Sequence, residues 1–240
     1  MFTKEYEIKF YEVDFKNQLK ESVLLNFLQD IAAVHAEHLG FGYSHIETKN
    51  LGWFLLKYHM KFFEWPQNIS KIKIKTWPRG IFKLSCIRDF EVYTIEGKKI
   101  AAVSSSWVLI DLETKKIANP AKVLNGFEFS ADVALDSKFP KIDNIEKSDI
   151  CKMFDVRYDD IDINQHANNA NYLIWALEGL WFEFRAKNQI KELEIQYKKE
   201  IKYGSKVLSE IEFLKESKVT LHSIKTDQNE ECCKIKITWN

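Results

Sequence analysis

The densest run of reactive side chains lies between Asp159 and Tyr172, where the sequence reads Asp-Asp-Ile-Asp-Ile-Asn-Gln-His-Ala-Asn-Asn-Ala-Asn-Tyr. One histidine, three aspartates and four asparagines stand directly before an apolar helical pattern. Asx residues suit a turn and a helix N-cap, but that accounts for neither His166 nor the placing of so polar a loop at a helix start. The first backbone N–H groups of a helix are unpaired and its dipole is positive there. A carbonyl oxygen held at such a place is polarised as it gains charge. The loop can therefore hold a reactive carbonyl and supply general acid–base groups.

Metal chemistry fits these residues poorly. Asp160-x-Asp162-x-Asn164 opens like a calcium loop, yet Gln165 takes the position that needs glycine and Asn171 the one that needs glutamate. His35 and His38, spaced i and i+3, suit packing or helix-end hydrogen bonds better than a metal. The cysteines are Cys86, Cys151, Cys232 and Cys233, with no C-x-x-C spacing; reduced structural thiols are expected. No metal and no cofactor is expected.

The elements that must position this loop repeat. An alternating strand (Tyr6, Ile8, Phe10) leads to a polar loop, Asp14–Glu21, and then to a helix on which Leu24, Phe27, Leu28, Ile31 and His35 share a stripe. Ser22 is the expected N-cap, and Gly40 and Gly42 the terminators. Strands are predicted over 54–62, 71–75, 84–95 and 100–110, with a hairpin at Glu96-Gly97-Lys98. The second half follows the same order: a strand around 153–156, the loop 159–167, and a helix over 168–186 with Tyr172, Trp175, Ala176, Gly179 and Phe182 on one stripe. Strands follow at 193–201, 206–215, 219–226 and 232–239. Trp175 and Trp181 read as core. Both helices are apolar on more than one face and must be enclosed. An antiparallel sheet wrapped around one long helix, used twice, meets that need. The expected fold class is α+β, a double hot-dog, with units at 1–120 and 151–240 and a connector at 121–150.

The run Asp-Ile-Asn-Gln-His-Ala-Asn-Asn-x-x-Tyr-x-x-Trp-x-Leu-Glu, Asp162 to Glu178, resembles the signature of the acyl-acyl carrier protein thioesterases of plants and bacteria. Leu24-x-x-Phe27-Leu28-Gln29-Asp30, Gly52-Trp53, Ser104-Ser105-Ser106-Trp107-Val108 and Leu193 to Glu200 are also similar to family segments. The resemblance implies a thioesterase that releases free fatty acid and holo-carrier, with Asp162, Asn164, His166 and Glu200 as the catalytic group. The family pattern has a cysteine after that glutamate, whereas this chain has Ile201. Direct attack by water is therefore expected. Glu200 acts as general base, with a nucleophilic Glu200 as the less favoured route. His166 orients water and protonates the leaving thiolate, Asn164 holds water or carbonyl, and Asp162 fixes the loop and the His166 tautomer. Backbone amides at Asn168 and Asn169 serve the oxyanion. The first-half loop has no histidine, so the first unit is expected to bind the acyl chain, through Leu24, Phe27, Leu28, Ile31, Trp53 and Leu55.

The remaining features bound the partners. Lys+Arg and Asp+Glu balance at 35 each, which removes any global field for nucleic acid. Local basic side chains near the site (Lys198, Lys199, Lys202, Arg79, Lys83) are available to an acidic carrier protein. No apolar run reaches the ~20 residues of a membrane helix. The first residues carry charge and no apolar h-region, so a cytoplasmic protein is expected; hot-dog units often pair, and a homodimer is compatible with this. An acyl-CoA thioesterase of the same fold, or a non-catalytic acyl- or carrier-binding module, are the competing readings.

Overall fold

A computed structural model describes residues 1–65, 70–136, 139–214 and 217–240. Two residues of the predicted connector, Ser137 and Lys138, and the last residue of the predicted strand 206–215, Lys215, lie outside the described residues. The chain divides into two compact units, Met1–Lys138 and Phe139–Asn240.

The first unit runs β1 (Phe2–Glu7), a 3-10 turn (Phe10–Glu12), α1 (Glu21–His38), α2 (Tyr43–Glu47), β2 (Leu51–Phe62), β3 (Lys71–Phe82), β4 (Ser85–Thr94), β5 (Lys99–Asp111), β6 (Ile117–Ala118) and α3 (Pro120–Val123). Its sheet is antiparallel, in the order β1-β3-β4-β5-β2, with β6 on β5. Helix α1 forms because Leu24, Leu25, Leu28, Ile31, Ala32, His35 and Ala36 make one buried stripe. Ser22 does not cap it. The helix begins one residue earlier, at Glu21, after an extended Lys20 whose N–H is tied to Glu12 O at 3.0 Å, so the preceding loop fixes the start. Gly40 ends it at φ +79°, a conformation that favours glycine. Strand β3 continues well past the predicted Lys75, through Pro78. That is tolerated because β1 pairs only as far as Thr76, and a bulge at Pro78/Gly80 absorbs the missing donor.

The second unit runs β7 (Ile150–Asp155), a 3-10 turn (Tyr158–Asp160), α4 (Asn169–Glu178), α5 (Phe182–Lys187), β8 (Ile190–Tyr197), β9 (Lys206–Leu214), β10 (Val219–Thr226) and β11 (Glu231–Trp239). Its antiparallel order is β8-β11-β10-β9-β7. The single helix predicted over 168–186 is two. At Gly179 a Cβ would lie 2.6 Å from Ile211 Cδ1, so α4 ends pressed against β9. Trp181 is then extended and turns the chain into α5. Trp181 is not core: it is exposed and stacks on Phe213 at 5.6 Å, whereas Trp175 is buried. Helix α4 is buried on most sides, through Ala170, Tyr172, Leu173, Trp175, Ala176 and Leu177, as an enclosed helix requires. Each unit is a hot-dog: one main helix packed on an antiparallel sheet, an α+β fold.

Candidate active site

The site is built within the second unit by a loop that folds on itself before it reaches α4. Arg157 N–H donates to Asp160 Oδ2 at 2.8 Å, and the Arg157 guanidinium pairs with Asp160 Oδ1 at 2.7 Å, so the almost fully buried Asp160 holds the 3-10 turn. Asp162 N–H then donates to His166 O at 2.8 Å, and Gln165 N–H to Asp162 O at 3.0 Å. Gln165 takes φ +65° to close this reversal. Asp162 Oδ1 accepts the Asn164 N–H at 2.8 Å, an Asx turn of the kind the loop's composition favours. Asn168 caps α4 by accepting the Ala170 N–H at 2.9 Å.

Three hydrogen bonds fasten this loop and the start of α4 to the end of β8 and the segment after it. Ala167 N–H donates to Ile201 O at 2.7 Å. Tyr172 of α4 donates its hydroxyl to Lys199 O at 3.1 Å, and Tyr197 at the end of β8 donates to Asn169 O at 3.1 Å. The two rings meet edge to face, centroids 5.5 Å apart. Burial drives the Tyr172 hydroxyl far above the ordinary tyrosine range, so it remains a donor at any working pH.

These ties bring His166 and Glu200 together, with Nε2 3.1 Å from Oε2. The imidazole is about three-quarters covered and the carboxylate about half exposed, so the pair opens to solvent on the glutamate side. His166 Nδ1 is buried with no hydrogen-bond partner among the described residues. The proton of a neutral ring therefore belongs on Nε2, facing Glu200. Two sequence expectations change here. Glu200, not Asp162, sets the tautomer, because the Asp162 carboxylate is turned to the Asn164 amide. The Asn168 amide is not an oxyanion donor: it is already bonded to Asp160 O at 2.8 Å, and Asn171 N–H similarly to Asn168 O. Asn169, the other amide named, is the first residue of α4. Asn164 stands exposed at the loop tip.

Among the described residues two neighbouring lysines are engaged elsewhere. Lys198 pairs with Glu231 and Lys199 with Glu230, leaving the Glu200 carboxylate to His166. Ile201 is 2% exposed, so the side chain after Glu200 faces the core. Cys232 and Cys233 are buried, and burial raises both thiols above the usual range, Cys233 well above; neither is an activated nucleophile. Cys151 is exposed on β7.

The first unit carries the same loop without the chemistry. Asp14 N–H donates to Gln18 O at 2.8 Å, Asn17 N–H to Asp14 O at 3.0 Å, and Asp14 Oδ1 accepts the Lys16 N–H, while Asn17 takes φ +58°. Gln18 thus stands where His166 stands. Phe63 and Glu64 donate to Ile100 O as Lys198 and Lys199 donate to Cys232 O, which puts Trp65 at the place of Glu200. An amide and an indole stand where the second unit has an imidazole and a carboxylate. Leu24 borders a small apolar recess beside Trp65, with Leu19, Phe62 and Val92. Leu28, Ile31 and Leu55 are buried, Phe27 stacks on Tyr6 at 4.4 Å, and Trp53 belongs to a separate cluster with Phe41 and Leu124. Sequence reading missed the bracing roles of Tyr172 and Tyr197; the available signal was a tyrosine just inside the helix and another three residues before Glu200.

Fold and site together define a duplicated hot-dog protein with a histidine–carboxylate pair at the helix start of its second unit. The sequence matches the Acyl-ACP thioesterase N-terminal domain over residues 1–124 and the Acyl-ACP thioesterase C-terminal domain over 143–240, and the chain belongs to the acyl-ACP thioesterase family. It is 25% identical over 214 residues to a chloroplastic palmitoyl-acyl carrier protein thioesterase of Gossypium hirsutum, covering 83% of this chain and 52% of that protein. The chain thus spans about half the length of the curated relatives it matches. The crystal structure of an acyl-ACP thioesterase from Bacteroides thetaiotaomicron is similar with TM-score 0.90 and 26% identity, over 100% of this chain and 97% of that one. The fold is shared with the 12:0-ACP thioesterase from Umbellularia californica, TM-score 0.90 at 21% identity over 100% and 96% of the chains.

Proposed function

We propose that the protein hydrolyses the thioester of fatty acyl-acyl carrier protein, releasing free fatty acid and holo-carrier. The observation that carries this reading is the 3.1 Å contact between His166 Nε2 and Glu200 Oε2 at the start of α4, in a chain of the acyl-ACP thioesterase family. Glu200, the more exposed of the two, takes a proton from water as that water attacks the carbonyl carbon. The tetrahedral oxyanion develops near the α4 N-terminus, where the helix dipole and the Asn169 amide favour negative charge. Collapse expels the carrier thiolate, which leaves readily and takes its proton from the His166–Glu200 pair. Asn164 at the loop tip holds water or the carbonyl, and Asp162 holds the loop. No thiol is needed, in keeping with the inward-facing Ile201. The first unit, with its acid–base positions occupied by Gln18 and Trp65, holds the acyl chain. Free cysteines suit a reducing compartment, in our reading the cytoplasm. Among the described residues no helix is long and apolar enough to cross a membrane.

The test is release of free fatty acid from acyl-carrier substrates of graded chain length, set against the matched acyl-CoA esters. Hydrolysis of the carrier substrates at higher kcat/KM supports the proposal. Saturable carrier binding without acid release would overturn it.

A further inference from the structure

Arg88 is buried inside the first unit, 7% exposed, and none of the described residues gives it a carboxylate partner. Its Nη1 meets two neutral acceptors, His35 Nδ1 at 3.0 Å and Thr76 Oγ1 at 3.3 Å. The next residue, Asp89, points the other way, towards Ser104 Oγ at 2.7 Å and Arg79 Nη1 at 3.2 Å. A guanidinium taken out of water without an anion loses its hydration with no ionic contact in return, and it is far from the usual way to fill a core.

A second donor stands in the same row. The strand registers place Tyr58 opposite Ser105 and Ser105 opposite Arg88, so the three side chains form one row across β2, β5 and β4. The contact of Arg88 with His35 puts that row on the face that packs against α1. Ser105 is satisfied: its Oγ donates to Arg88 O at 3.0 Å and accepts the Trp107 indole N–H at 2.7 Å. Tyr58 is 1% exposed, and its hydroxyl has no hydrogen-bond partner among the described residues. Burial holds the Tyr58 phenol above its ordinary range and His35 down at about 4, so the first is a donor and the second uncharged. The row thus offers a fixed cation, an unpartnered hydroxyl and no negative charge.

We propose that Arg88 and Tyr58 form an anion site in the first unit that takes an aliphatic carboxylate, its oxygens held by the guanidinium fork and the phenol hydroxyl. Arginine's planar fork matches a carboxylate in two parallel hydrogen bonds. The aliphatic part of the ligand rests on the reading that this unit holds the acyl chain. The anion site itself does not, since binding requires no turnover. The carboxylate has two sources, a free fatty acid or an acyl chain ending in a carboxyl group.

Titration calorimetry of the full chain with sodium octanoate and with 1-octanol tests the site. The carboxylate binds at least about tenfold more tightly than the alcohol of equal length. Arg88→Met and Tyr58→Phe each bring the two within about threefold, and His166→Ala leaves the preference intact, which separates this site from the hydrolytic one. Arg88→Lys, which keeps the charge and loses the fork, gives an intermediate preference and serves if Arg88→Met does not fold. Comparing ω-carboxyoctanoyl and octanoyl thioesters identifies the source. An Arg88-dependent gain in kcat/KM for the former assigns the chain end; its absence, with octanoate binding retained, assigns the free acid. Equal binding of octanoate and octanol by the unmodified protein, or an undiminished preference in folded Arg88 and Tyr58 variants, overturns the proposal.

Discussion

His166 Nε2 and Glu200 Oε2 lie 3.1 Å apart, although 33 residues lie between them in sequence and two different segments supply them. Removing either member removes the proposed acid–base group. His166→Ala and Glu200→Gln should each lower kcat by at least about 100-fold. Their circular dichroism and melting should match the parent, since the pair lies at a half-exposed edge. Near-normal turnover in both would eliminate the site. Cys151→Ser, at an exposed position on β7, should leave turnover unchanged.

The tyrosine pair makes a separable prediction. Tyr172 and Tyr197 brace the loop and the post-β8 segment by reciprocal hydroxyl-to-carbonyl bonds, each at 3.1 Å. Losing one such bond costs about 1 kcal/mol of stability, because the carbonyl keeps only part of its bonding. The effect on rate should exceed that on stability, since slackening the brace moves Glu200 relative to His166. Tyr172→Phe should therefore lower kcat several-fold with KM little changed, as read from steady-state kinetics alongside urea unfolding. An unchanged kcat would mean that the brace serves stability alone.

Much of this arrangement was legible in the sequence, and the parts that were not share a cause. The tract 159–172 announced a polar loop at a helix start, and the stripe on α1 announced a buried helix, because both rest on local composition and period. The pairing of His166 with Glu200 came only through the family resemblance, since no local pattern links them. Gly179 was placed on the helical stripe, but its lack of a side chain meets Ile211, a contact invisible without the sheet. Trp181 reads as core by type, yet it sits where the chain turns and faces outward. The Asn168 amide looked available for an oxyanion until Asp160, eight residues earlier, proved to accept it.

The same close contact yields a packing prediction. Gly179→Ala would place a methyl 2.6 Å from Ile211 Cδ1, the far end of a flexible side chain, and 3.4 Å from the Ala176 carbonyl oxygen. Ile211 can turn aside at a cost of about 1–3 kcal/mol, typical of overpacking in a close-packed core. A lowered denaturant midpoint with an unchanged m-value checks this. Gly179→Ala combined with Ile211→Val, which shortens the clashing side chain, should recover part of the loss.

Acid sensitivity follows from two buried histidines. His222, on β10, is 1% exposed, and burial depresses it to about 3; His35, on α1, is held at about 4 by burial and then by Arg88. In the unfolded chain both return to about 6.5. Between these values the unfolded state binds the additional proton, so stability rises with pH there and falls as pH drops from about 6.5 towards 4. Each histidine can contribute a slope of up to about 1.4 kcal/mol per pH unit across its window. Above pH 7 both are neutral in either state and contribute no slope. Urea unfolding at pH 7 and pH 5 should show a marked loss at the lower pH. His222→Gln keeps a polar group near the Thr220 hydroxyl, now 2.8 Å from Nε2, and removes the titration, so it should flatten the dependence even if it lowers stability at pH 7. An equal slope in the variant would show that other groups govern acid unfolding.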